Sequence, residues 1–176
     1  MGTTYLVEAS HLFRAGDKYQ TQFFVCDVVN FLKRSYFPDE DSHTIVLHGS
    51  TKEDQAKRYA SALERHGVRV IRMAPIPSLN GNGKHFYKPT YYIHQMMGKE
   101  IQSGSRVVLV GFHNARYLAF LQKYAAEFEI SMAAFTTPSR RQGFLKIPTE
   151  FVPLLKQAIC LDDSVADIKS EWKKKK

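Results

Sequence analysis

Short apolar, β-branched runs alternate along this chain with longer segments whose apolar residues recur at helical spacing. The runs are "TYLVEA", "TIVLH", "VRVIR", "RVVLVG" and "ISMAAF". A helical crossover returns the chain to the end of the sheet where it began, so strands joined in this way pair in parallel. Parallel sheets are covered on both faces, which suits the mostly apolar runs, while "VRVIR" alternates apolar and basic residues and reads as a strand with one solvated side. The alternation therefore predicts an α/β fold in three layers, Rossmann-like: a mostly parallel central sheet of about five strands with helices on both faces.

The segments between the runs refine this. "TYLVEASHLF" reads as a strand running into a loop. "TQFFVCDVVNFLKRSYF" carries Phe23, Phe24, Val28, Phe31 and Leu32 at helical spacing. "TKEDQAKRYASALERHG" is a helix with Ser50 or Thr51 as its cap and Gly67 as its stop. "YYIHQMMGKEIQSG" and "ARYLAFLQKYAAEFE" are helices, and Met96 and Met97 read as core packing. "IPSLNGNGKHFYKP" and "TPSRRQGFLKIP" read as loops. "TEFVPLLKQAICL" opens a terminal helix that holds Pro153 in its first turn, where proline is tolerated. One domain is expected over residues 1–163, followed by a charged, Lys-rich C-terminal tail over residues 164–176.

With 44% hydrophobic and 12% aromatic residues, the chain can build a core and is not a disordered one. No apolar run approaches the roughly 20 residues that span a bilayer. "MGTTYLVEASHLF" has no basic segment before its apolar stretch, so it does not read as a secretory signal, and it lacks the myristoylation pattern. Cys26 and Cys160 lie in apolar surroundings and read as reduced, buried small hydrophobes. These features point to a cytoplasmic, reducing setting without a membrane. No CxxC and no zinc-type Cys/His spacing occurs. The net charge of +8 and the pI near 9.5 favour polyanion partners. Four of the cations are the lysines of "EWKKKK"; without them the body carries about +4.

In an open parallel sheet, ligands bind outside the carboxyl ends of the strands. Those ends lie near residues 8–11, 48–51, 75–88, 111–116 and 136–141. They carry the cations Lys84, Lys88, His113, Arg116, Arg140 and Arg141, with Asn114 beside them. Phe86, Tyr87, Tyr91, Tyr92 and Phe112 are interleaved, and bases of a single strand stack on such rings. "NGNGK" is followed by His85 rather than Ser or Thr, so it is not a nucleoside-triphosphate loop. Glu8 reads either as a metal ligand or as a polar residue capping a loop. His11 reads as a hydrogen-bonded loop histidine or as a functional one.

The order of elements and several phrases resemble the NYN domain of the PIN-like nuclease superfamily, over residues 4–160. "VEASHLF" fits the family's opening Asp-Gly-x-Asn-Leu-Phe, with Glu8 at the acid position and His11 at the Asn position. "TIVLHGS" and "ALERHGVRVIRMAP" keep the following order. "KPTYYIHQMM" fits a Lys-x-x-Asp phrase, with Lys88 at the Lys and Tyr91 at the acid. "VLVGFHNARYLAFL" fits Ser-Gly-Asp-Ser-Asp-Phe, with Asn114 and Arg116 at its two acids and Tyr117 at the aromatic. "GFLKIPTEFVPLL" fits the ending. The resemblance implies a nuclease whose carboxylates converge on Mg²⁺ or Mn²⁺. Of these acid positions only Glu8 is acidic here.

The expectation is therefore a catalytically inactive domain that needs no cofactor. It would bind RNA or single-stranded nucleic acid through Lys84, Lys88, Tyr91, His113, Asn114, Arg116, Arg140 and Arg141. One alternative is an active ribonuclease with a rearranged site, either with Mg²⁺ or Mn²⁺ on Glu8 and Asp27 or with His11 and His113 as acid and base. The other is a structural or interaction subunit that works as a homo-oligomer or with a protein partner.

Overall fold

A computed structural model describes residues 2–38, 41–77, 85–139 and 143–174. The first apolar run forms β1 (Thr3–Glu8), whose residues 3–7 are all buried. Its alternation splits the core in two. Tyr5 and Val7 pack on one face of the sheet and Leu6 on the other.

After β1 come α1 (Ala9–Tyr19), α2 (Val25–Ser35), β2 (Ser42–His48), α3 (Glu53–Glu64) and β3 (Arg69–Arg72). Two short strands, β4 (Ile76–Pro77) and β5 (His85–Phe86), precede α4 (Pro89–Lys99). Then follow β6 (Arg106–Val110), α5 (Leu118–Tyr124), β7 (Glu129–Ala134), β8 (Thr137–Ser139) and β9 (Gly143–Leu145). β10 (Ala158–Cys160) and α6 (Val165–Lys174) close the chain. β4 pairs with β5, and β8 with β9, as small antiparallel ribbons within segments expected to be loops.

The central sheet has six strands, all parallel, in the order β10-β7-β6-β1-β2-β3. The fold is thus the expected α/β type with a three-layer, Rossmann-like arrangement, and its sheet is one strand wider than the sequence predicted. α1, α2, α3 and α6 contribute to the core around Tyr5 and Val7; α4 and α5 contribute to the core around Leu6. Each fully buried Leu, Val or Phe contributes roughly 1.5–3 kcal/mol. At the β3 edge, Arg69 pairs with Glu100 and Arg72 with Glu53, charges that discourage another strand from adding there.

Four local readings need correction. Residues 9–19 form a helix, not a loop: Ala9, Leu12, Ala15 and Gly16 make a buried stripe, but small residues give it little apolar weight. Residues 149–154 form only a 3₁₀ turn, because Pro153 removes a donor, and Leu155 turns extended (φ −105°, ψ 141°). The chain then enters β10, where only Ile159 is buried and pairing with β7 supplies the order. Cys160, next along β10, is exposed rather than buried, and Cys26 is half-buried. The segment placed in the tail forms α6, which packs on α2, buries Ile168 and pairs Glu171 with Arg34. The domain therefore includes α6.

A polar clamp ties α1 to the turn after β10. Asp162 accepts from Lys18 Nζ at 2.9 Å, from the Thr136 amide at 2.6 Å and from the Tyr19 hydroxyl. Among the described residues no helix is long and apolar enough to cross a membrane.

Candidate functional site

The strand order reverses between β1 and β6, and crevices at such switch points are where open α/β sheets bind ligands. A cleft of about 370 Å³ opens there. β1 and α1 supply Glu8, Ser10, His11 and Arg14; the loop after β6 supplies His113, Asn114 and Arg116. Leu47, Gly49, Phe86 and Tyr87 close the other side.

Two glycines allow this closeness. Gly111 ends β6 with φ +92°, and a Cβ there would lie 3.0 Å from His11 Cβ and 3.3 Å from Glu8 Cβ. Only glycine lets the β6 loop pass against the start of α1. The next residue, Phe112, is also left-handed (φ 59°), and its ring is 1% exposed in the core, edge-on to Tyr117 at 5.4 Å. Burial of that ring offsets the backbone strain. At Gly49 an added Cβ would sit 2.6 Å from the Tyr87 ring, so the ring lies directly on the backbone as a wall.

The two cleft histidines are neutral. His11 is buried and its Nε2 accepts the Phe135 amide at 2.9 Å, which places the ring proton on Nδ1. That Nδ1 has no partner among the described residues, and neither does the hydroxyl of Tyr87. Burial first, then His113 and Arg14, push His11 down to about 3. His113 lies 4.9 Å from His11, ring to ring, with Nε2 3.2 Å from Thr137 Oγ1. Burial pushes it down to about 4, with Arg14 adding to the effect against a backbone hydrogen bond at Leu145. The expected cationic role of His113 is therefore corrected: a ring without charge cannot attract phosphate as an ion.

Positive charge comes from Arg14 and Arg116, both exposed on the cleft. The Tyr117 phenol senses them together: burial and Glu8 push its pKa up, while Arg116 and Arg14 push it down. Two guanidiniums thus share the cleft with one carboxylate. The uncapped N-terminus of α1 opens onto it and adds partial positive charge. Glu8 accepts from Ser10 Oγ at 2.8 Å.

The remaining expected residues fall elsewhere or into other roles. Asn114 lines the cleft, but its Oδ1 accepts the Arg116 amide at 3.0 Å and caps the 3₁₀ turn Ala115–Tyr117. Lys88 is the exposed residue before α4 and does not line the cleft. Tyr91 is 60% exposed, accepts from Gln95 Nε2 at 3.0 Å, and also stands outside it. Tyr92 is structural, accepting the Ala74 amide at 2.8 Å. Asp27 is buried in the first turn of α2 and does not join Glu8 at the cleft. Lys84, Arg140 and Arg141 lie outside the described residues.

Sequence reasoning missed Arg14, because the stretch ending at Phe13 read as a strand running into a loop and residues 14–20 were assigned to no element. Its signal was the 12–15–16 spacing that makes α1. Among the described residues no group of three or more His, Cys, Asp or Glu side chains could hold a metal ion.

Fold and cleft together define a three-layer, Rossmann-like α/β domain with its crevice at the β1/β6 switch point. No protein-family model matches the sequence, and no curated protein matches it. Among solved structures, a protein of unknown function from Vibrio parahaemolyticus RIMD 2210633 is similar, with a TM-score of 0.62 over 92% of this chain and 93% of that one. The two are 10% identical, so the likeness is one of fold alone.

Proposed function

We propose that this chain is a catalytically inactive PIN-like domain of NYN type that binds RNA, or single-stranded nucleic acid more broadly, at the switch-point cleft. One observation carries the reading: Arg116, at a position where the resembling family has an acid, lines the cleft together with Arg14. Such a pair attracts phosphate directly and repels the divalent ion that the family's chemistry uses. Phe86, 42% exposed, and Tyr87 supply rings beside it. Stacking on such rings is worth ~1–3 kcal/mol per base and tolerates any sequence. Lys88 and Tyr91, exposed outside the cleft, offer a further cation and ring to a longer strand.

The test is a titration of labelled single-stranded RNA, read by anisotropy at low and moderate salt, with and without Mn²⁺, followed by a denaturing gel. Salt-sensitive binding of intact RNA, weakened at least tenfold by the double change Arg14→Glu and Arg116→Glu, is expected. RNA shortened in a manner abolished by Glu8→Ala would replace this reading with a ribonuclease. Absence of binding at low salt would refute it in favour of an interaction subunit.

A further inference from the structure

Resting on that reading, we propose that the cleft is an end site: it takes a single nucleotide bearing a terminal phosphate monoester, not an internal stretch of strand. The first reason is size. At about 370 Å³ the cleft lies near the lower end of the roughly 300–1,000 Å³ of small-ligand sites, room for one nucleotide rather than a run.

The second reason is the pair of unsatisfied polar groups. His11 Nδ1–H and the Tyr87 hydroxyl are buried without partners among the described residues, and both residues line the cleft. Buried donors are almost always paired, so these two call for acceptors that arrive from outside. His11 is 1% exposed and held by its bond to Phe135, so its donor is pre-oriented.

The third reason is the mixture of charges. A phosphate monoester brings three terminal oxygens and close to two negative charges, one oxygen and nearly one charge more than an internal diester. Arg14, Arg116 and the two neutral donors suit that larger acceptor. Glu8 cannot receive phosphate, since a carboxylate only accepts. It suits hydroxyl donors, which the sugar of the same nucleotide carries. The Tyr87 and Phe86 rings suit the base. Anion, hydroxyls and planar ring are combined in one nucleotide.

The same unit comes from a strand end or from a free mononucleotide, and the experiment separates them. Calorimetry with adenosine 5′-monophosphate, adenosine and inorganic phosphate measures the unit alone. Anisotropy competition among 5′-phosphorylated, 3′-phosphorylated, hydroxyl-ended and circular single-stranded RNA of one sequence measures the end. Binding of the monophosphate at least tenfold tighter than of adenosine, together with at least tenfold preference for a phosphorylated end over the circle, supports the proposal.

Arg14→Gln, at an exposed position, should remove most of that preference without lowering thermal stability. His11→Gln keeps an acceptor where Nε2 sits and removes Nδ1–H, and should weaken the monophosphate about tenfold. If circular and phosphorylated RNA bind equally and the monophosphate does not compete, the end site is overturned and strand binding stands. If the monophosphate binds but no RNA does, the nucleotide unit stands and the RNA reading falls. If nothing binds, both fall.

Discussion

Replacing Gly111 with alanine tests whether the cleft depends on the close passage of the β6 loop over α1. Two costs are expected. A left-handed residue with a Cβ costs roughly 1–2 kcal/mol over glycine. The new Cβ would also sit 3.0 Å from His11 Cβ, 3.1 Å from His11 Cγ and 3.3 Å from Glu8 Cβ. Two of these three atoms are side-chain roots that cannot swing aside, and overpacking of that kind costs roughly 1–3 kcal/mol more. The sum is about 3.5 kcal/mol.

Gly67 is the control. It has φ +79° after α3, with nothing within 4 Å of its would-be Cβ, so Gly67→Ala should cost only the conformational part, about 1.5 kcal/mol. Urea denaturation of both variants measures the difference, about 2 kcal/mol, as a shift in midpoint at constant slope. On the proposed function, Gly111→Ala should also weaken RNA binding, since the β6 loop must move away from Glu8 and His11. Costs that agree within about 0.5 kcal/mol, with binding unchanged, would refute the close-passage argument.

Asp162→Asn should cost about 2 kcal/mol at neutral pH, because hydrogen bonds from Lys18, Tyr19 and the Thr136 amide hold Asp162 down to about 2 from 3.8 against its burial. A depressed carboxylate stabilises above its unfolded pKa, so the gap from the parent should be constant from pH 7 to 5 and shrink as pH falls from about 4 towards 2; a gap independent of pH would sink the clamp. His11 and His113, held down to about 3 and about 4, behave in the opposite sense to a histidine that gains a charged partner: the unfolded chain takes up their protons first. Stability should fall as pH drops from about 6.5, by on the order of 1–2 kcal/mol per ring at pH 5, and nitrogen NMR should find both rings still neutral there; titration near 6.5 would refute their burial.

The sequence by itself determined the architecture and the edge where a site would lie. β-branched runs and helical periods are local properties, and a chain that alternates them can hardly avoid a parallel sheet with a ligand edge at its strand ends. Within that edge it also marked Glu8, His11 and Arg116. Weak local signals did not carry the rest. α1 rests on a stripe of small residues, β10 has one buried side chain, and α6 earns its place by docking Ile168 rather than by composition. Only tertiary structure brought Glu8, Arg14, Gly49, Tyr87 and Arg116 to one cleft. Strand order, which no local period encodes, sets β6 beside β1 and so joins residues about a hundred positions apart. The same burial that completes the cleft removed the charge of His113 and left His11 a neutral donor, because an ionised ring loses more hydration there than its surroundings return.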